Sequence, residues 1–287
     1  MKVAATIEEQ IDQLKSRGII ISDEGKAKEI LSDIGYYRLG FYLFPFEESY
    51  PDLSKRTHKY KEGTKLEDAI ALYYLDFDLR HILIRYLTRI EIALRTAIIY
   101  HISLQYKSSP TWFADKNIMG NDYVNDFGIK VYPSVLKKPV IVRHHKTHIN
   151  DKFAPAWKTI EFMTLGEVNM LYLNLKYTAD KLLISRHFGI NNTNVFENYL
   201  EIIRVVRNLC AHGNALFDLK LRKSVRTGPA FKSDGTNGYD LQAAIAVISY
   251  LLGKISETRK EEMLSLISDA LKAAEAKSPN VKKYFNI

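Results

Sequence analysis

From Leu66 to about Ile102 the chain runs without a glycine or a proline, and its apolar residues fall on two helical stripes. One stripe holds Leu72, Leu75, Leu79, Ile82, Tyr86, Ile90, Ala93 and Ala97. The other holds Ile70, Tyr73, Phe77, Ile84, Leu87, Leu94 and Ile98. A helix that is apolar on two faces must be covered on both, so this segment predicts a buried spine for the fold. Its charged residues, Arg80, Arg85, Arg89, Glu91 and Arg95, need partners wherever burial removes them from water. Glu91 and Arg95 stand four apart and can serve each other.

Helical periodicity continues on both sides of the spine. Ile7, Ile11 and Leu14 share one face. Ser22 and Asp23 can cap a helix through Ile30, Leu31 and Ile34 that Gly35 ends. Pro155 suits the first turn of the next helical stretch. The segment from Asn194 to His212 and a final pair, Leu241–Leu252 and Ser256–Ala276, are also helical in pattern. Residues Ser108–Phe153 are the least regular, with short strands allowed around Val131 and Val140. Thr227–Asp240, rich in Gly, Pro, Ser, Asp and Asn, reads as a mobile loop. The expectation is one all-α domain over 1–287. It comprises an N-terminal helical extension (1–65), a core (66–226) and C-terminal helices (241–287).

A chain of 287 residues that is 46% hydrophobic can bury a substantial core. Its formal charge of +8 favours a polyanionic partner such as nucleic acid, although a merely basic protein would show the same excess. The single cysteine, Cys210, rules out an internal disulfide and any zinc site built from several thiolates. The opening MKVAATIEEQIDQLK lacks the apolar run of a secretion signal. No stretch reaches the roughly 18 uninterrupted apolar residues of a spanning helix. A cytoplasmic protein with no membrane partner is the expectation. No Gly-rich phosphate loop, zinc-protease helix motif or nucleophile elbow occurs.

Chemistry concentrates in Arg204-Val205-Val206-Arg207-Asn208-Leu209-Cys210-Ala211-His212-Gly213-Asn214. Arg207 offers a permanently charged fork suited to phosphate. His212 can exchange a proton near neutral pH. Gly213 suggests that the helix stops at His212, where its dipole would favour the protonated imidazole. At ~100° per residue, Arg207 and His212 lie about 140° apart on a regular helix. They converge only through a bend or a second copy of the motif. Spacing alone leaves another reading open, in which Asn208 and His212 simply tie the helix end to neighbouring backbone.

Arg207-Asn208-x-x-x-His212 resembles the HEPN ribonuclease signature, an Arg followed within two helical turns by a His, often with Asn beside the Arg. Further blocks resemble the Abi-like (AbiD/AbiF) abortive-infection family. They are Ile34-Gly35-Tyr36-Tyr37-Arg38-Leu39, then Arg89-Ile90-Glu91-Ile92-Ala93-Leu94-Arg95-Thr96, then Pro155-Ala156-Trp157 with Thr164-Leu165-Gly166-Glu167. The likeness runs from about residue 7 to residue 225. It departs at Ala215-Leu216-Phe217-Asp218, where the family tends to carry a basic residue, Leu, Trp and Asn. The resemblance implies a HEPN-type helical bundle that dimerises and cuts RNA without metal or cofactor, in phage defence. His212 would be general base or acid, Arg207 would stabilise charge on the phosphate, and Asn208 would orient the pair. A structured non-coding RNA, in the manner of a toxin–antitoxin pair, is an implied partner beside the RNA substrate. The rival expectation is a non-catalytic RNA-binding or regulatory protein of the same fold; a module that senses a phage protein is a third.

Three further groups carry candidate chemistry. Arg95 and His101 repeat the Arg-to-His spacing inside the spine, as a structural ion pair with a core histidine or as a second motif. Arg204, with Lys137, Lys138, Arg143, His144, His145 and Lys146, forms basic surface for an RNA backbone. For the histidines, joined by His148, a solvated basic loop is preferred to a metal site. Tyr36, Tyr37 and Tyr42 read as packing residues, with base stacking the alternative.

Overall fold

The computed structural model describes residues 3–235, 237–279 and 281–285. The chain is all-α. In order come α1 (Ile7–Ser16), α2 (Glu24–Asp33), α3 (Tyr36–Leu43), α4 (Leu66–Gln105), α5 (Asn121–Asp126), α6 (Tyr132–Leu136) and α7 (Pro139–Thr147). They are followed by α8 (Ala156–Thr159), α9 (Leu165–Leu173), α10 (Thr178–His187), α11 (Thr193–Ala211), α12 (Leu241–Ile255) and α13 (Glu257–Lys277). Only isolated bridges represent β-structure among the described residues. The short strands allowed around Val131 and Val140 are not formed. Val131 closes a π-helical turn, Phe127–Val131, and Val140 lies in α7. Pro139 presets the first turn of α7, and Ile141 and His144, three apart, turn inward as a helix requires. Among the described residues no helix is long and apolar enough to cross a membrane.

Contacts divide the chain into two compact units. The divisions fall inside helices, after Ile82 in α4 and after Leu264 in α13, as well as on either side of Gly213–Leu219.

The first unit contains the chain up to Ile82, Gly213–Leu219 and the chain from Ser265. Thr6 and Glu9 form a reciprocal capping box on α1, and Asp23 caps α2 through the Lys26 N–H. Gly35, at φ +81°, makes the turn from α2 into α3 that a Cβ would resist. Asp76 on α4 is fully buried and accepts four hydrogen bonds. Their donors are Arg80, the Tyr42 hydroxyl at 2.9 Å, and the backbone N–H groups of Leu216 and Phe217 at 2.7 and 3.0 Å. Burial pushes its carboxyl above the usual carboxylate range, and Arg80 with these donors offsets only part of that rise. Ala215-Leu216-Phe217-Asp218 is thereby fastened to the spine through its backbone, and Phe217 packs on Tyr42 with ring centroids 5.2 Å apart.

The second unit contains Leu83–His212 and Lys220–Leu264. Here α11 buries Val195, Phe196, Tyr199, Leu200, Ile202, Ile203, Val206 and Cys210, and packs against α9, α10 and α12. From α4 come Leu83, Tyr86, Leu87, Ile90, Leu94 and Ile98, all buried, whereas Ile92 stays 44% exposed. Trp112, Phe113 and Phe127 form the core beneath the irregular middle of the chain.

The segment 227–240, in which Thr236 lies outside the described residues, is irregular but tied down where the sequence pattern suggests a mobile loop. Asn198 on α11 donates to Ser224 O at 2.9 Å and accepts from the Arg226 N–H at 2.8 Å. The Tyr199 hydroxyl bonds Arg226 O and the Ala230 N–H. Val225 N–H reaches Gly238 O at 2.8 Å, and Phe231 is buried. Side chains on a helix thus supply the backbone partners that local composition lacks.

Candidate functional site

The C-terminal half of α11 carries the site. Its inner face, Ile202, Ile203, Val206 and Cys210, is buried, and this fixes the azimuth of the polar residues between them. The helix ends as Gly213 predicts. His212 is the C-cap, its N–H bonds Asn208 O at 3.0 Å, and Gly213 takes φ +65°. This closure uses only backbone. The imidazole of His212 is exposed and makes no hydrogen bond among the described residues. The open reading in which Asn208 and His212 side chains tie down the helix end is therefore not what holds it.

Arg207 is anchored. Its Nε lies 3.4 Å from Glu91 Oε2, and its Nη1 lies 3.4 Å from Asn208 Oδ1. The other Glu91 oxygen lies 3.1 Å from Arg95 Nη2, which also donates to Met163 O at 2.9 Å. One carboxylate on α4 therefore stands between two guanidiniums, and the cluster keeps a net positive charge. Arg95 is 9% exposed at its side chain and Glu91 12%, whereas Arg207 is 31% exposed. The Nη2 edge of Arg207 is unengaged among the described residues, which leaves part of its fork for an anion.

Arg207 and Asn208 are thus brought together, but Arg207 and His212 are not. No hydrogen bond or ion pair joins them among the described residues, and the intact helical register keeps them about 140° apart. Arg204 turns to Glu201, at 2.8 and 2.6 Å, and this pairing raises its affinity for its proton. Arg95 is enclosed as an ion pair, while His101 contacts His187 at 3.2 Å between ring nitrogens. Burial first, and His187 second, push the His101 pKa down.

The basic segment is a helix, α7, not a loop. Lys137, Lys138, Arg143 and Lys146 are exposed. His144 is buried, 3.1 Å from Asp151, and His145 contacts the Tyr132 hydroxyl at 2.7 Å. Burial, with Lys158 nearby, pushes the His144 pKa down. His144 therefore belongs to the packing of this unit rather than to a basic surface. Among the described residues no group of three or more His, Cys, Asp or Glu is placed to hold a metal ion. Of the three tyrosines, Tyr42 is in the core and Tyr36 is half-buried, but Tyr37 is 83% exposed and does not pack inward.

The link from Glu91 to Arg207 is what the sequence does not disclose at this site. The partner of Glu91 at the fourth position, Arg95, hides its second oxygen, and no local spacing links α4 to α11. Comparison with known proteins bears on the whole arrangement. A family model described as Abi-like protein matches residues 29–218, which includes α4 and α11. No curated protein matches the chain, and no solved structure matches it.

Proposed function

The chain belongs to the Abi-like protein family, whose name points to abortive infection and phage defence, and from that premise we propose that it is an RNA-cutting effector of the HEPN type. One observation carries the reading: His212 stands exposed with no structural work to do, one helical segment from an Arg207 whose fork is held by Glu91 but not filled. A histidine spared from packing and a positioned guanidinium are what metal-independent RNA cleavage needs.

In this reaction the ribose 2′-oxygen attacks the adjacent phosphorus. The P–O2′ bond forms and the P–O5′ bond breaks, leaving a 2′,3′-cyclic phosphate and a 5′-hydroxyl. An imidazole takes the proton from the 2′-hydroxyl, and a protonated imidazole returns one to the leaving oxygen. Arg207 stabilises the charge that grows on the non-bridging oxygens. Because one helix does not bring Arg207 and His212 together, the cleft is assembled from two copies, with Arg207 facing the partner subunit's His212. The exposed Lys137, Lys138, Arg143 and Lys146 add backbone attraction. A structured RNA occupying the same surface would hold the effector off in healthy cells.

The test is cleavage of a mixed RNA pool in EDTA by the purified chain beside His212→Ala and Arg207→Ala. Cleavage by the parent alone, with cyclic phosphate ends, is the expected result. The pairing of Arg207 with Glu91 favours a second reading, RNA binding without turnover, since it leaves only part of the guanidinium fork for a phosphate. RNA retained uncut by every variant would select it.

A further inference from the structure

The first unit holds a cleft of about 560 Å³ between α1, α3 and the segment 56–60. That volume lies within the range of small-ligand sites, about 300–1,000 Å³. Its lining pairs aromatic rings with cations: Tyr36, Tyr37 and Phe41 beside Arg17 and Arg56, with His58 next to them.

The cations are not equivalent. Arg56 is neutralised by the buried Glu47, which also faces His58 Nδ1 at 3.4 Å. Arg17 is half-buried, and its one side-chain partner is the neutral Tyr36 hydroxyl at 2.9 Å. No carboxylate balances it among the described residues. A guanidinium partly removed from water without a counter-charge is costly unless an anion arrives from outside.

The aromatics have the complementary property. Tyr37 is 83% and Phe41 48% exposed, and they meet edge to face at 5.1 Å, so at least one ring face stays open. Exposed rings beside an unbalanced guanidinium match a ligand that has both a flat ring and an anion. An apolar peptide would leave Arg17 unpaired, and inorganic phosphate would leave the rings bare. His58 takes φ +56°, and Nδ1 is the ring nitrogen that faces Glu47.

We propose that this cleft binds one unpaired nucleotide of a single-stranded RNA, its base stacked on Tyr37 and its phosphate on Arg17. The site is separate in sequence from the α11 residues and gives the RNA a grip that does not take part in cutting. The proposal rests on RNA being the ligand of this chain, as argued above.

The test uses full-length His212→Ala protein, so that RNA stays intact, and a fluorescein-labelled oligoadenylate as probe. Fluorescence anisotropy should show that Tyr37→Ala weakens binding about tenfold, the loss of one stacked base. Tyr37→Phe should retain it. Arg17→Gln should flatten the slope of log affinity against log salt by about 0.7, one phosphate contact on a single strand. Equal affinity in Tyr37→Ala and its parent would overturn the proposal, as would failure of the parent to bind the probe. Cleavage by the unsubstituted chain, scored separately, keeps the two readings apart. Tyr37-dependent binding without cleavage sinks the nuclease and leaves the cleft. Cleavage without Tyr37-dependent binding does the reverse.

Discussion

Glu91 Oε2 lies 3.4 Å from Arg207 Nε while Glu91 Oε1 lies 3.1 Å from Arg95 Nη2, so one carboxylate on α4 is shared between a guanidinium on α11 and a buried one on its own helix. Removing that carboxylate strands Arg95. Glu91→Gln is expected to cost about 3–5 kcal/mol of stability, the usual result of leaving a buried charge unpaired. Urea unfolding measures it. Glu91→Leu combined with Arg95→Met should recover most of the loss, because both charges go together.

His212→Ala should leave stability within about 0.5 kcal/mol of the parent, since the ring is exposed and unbonded. If the proposed chemistry holds, the same change lowers RNA cleavage by about 10²–10⁴-fold, the contribution of a positioned acid or base. Rates on a defined RNA, read beside a melting curve for each variant, separate the two effects.

His144 and His101 both have pKa values pushed down in the folded chain, chiefly by burial. In the unfolded chain a histidine titrates near its ordinary value of about 6.5. The unfolded state therefore binds more protons below that pH. Stability from this source is complete above about pH 6.5 and is lost as pH falls toward the folded values. Around His144 stand Asp151, Lys158, His145 and His148, and the attraction of Asp151 does not outweigh burial. Melting temperature should fall between pH 7 and pH 5.5, and His144→Gln should make that fall shallower. An unchanged slope in the variant would refute the assignment.

Gly228 sits where a Cβ would lie 2.7 Å from both the Tyr199 hydroxyl and Val195 Cγ1. Gly228→Ala should destabilise the chain by about 1–3 kcal/mol through overpacking. Amide exchange in 224–231 should rise with it if Asn198 and Tyr199 hold that segment as described. A neutral substitution would mean that the segment is free.

The helices follow from sequence by local physics. The Leu66–Ile102 stripes become α4, Asp23 caps α2 as its position predicts, and Gly213 ends α11 with the positive φ that glycine alone adopts cheaply. Thr164 and Glu167, which belong to one of the family-like blocks, form a capping box on α9. Such features depend on neighbours within one or two turns, so spacing reveals them. The basic run at Arg143–Lys146 is less legible, because charge counts do not say which way a side chain points. Only packing put His144 inside and left Lys146 outside.

Apolar spacing and capping residues carry the long helices, several of their ends, and the presence of Arg207, Asn208 and His212 on one of them, but not the short helices of 121–147. Who meets whom follows from the packing of those helices. Glu91 could be assigned to Arg95 from a separation of four residues, but its second oxygen reaches Arg207 only because α4 and α11 pack. Asp76 finds the N–H groups of Leu216 and Phe217 across a long stretch of chain, and Arg17 meets Tyr36, Arg56 and His58 only where α1, α3 and the segment after them fold together. Helix formation is set by short-range periodicity and capping, whereas partner choice among buried charges is set by which surfaces close on each other. That second kind of information is spread over the whole core and leaves no local spacing to read.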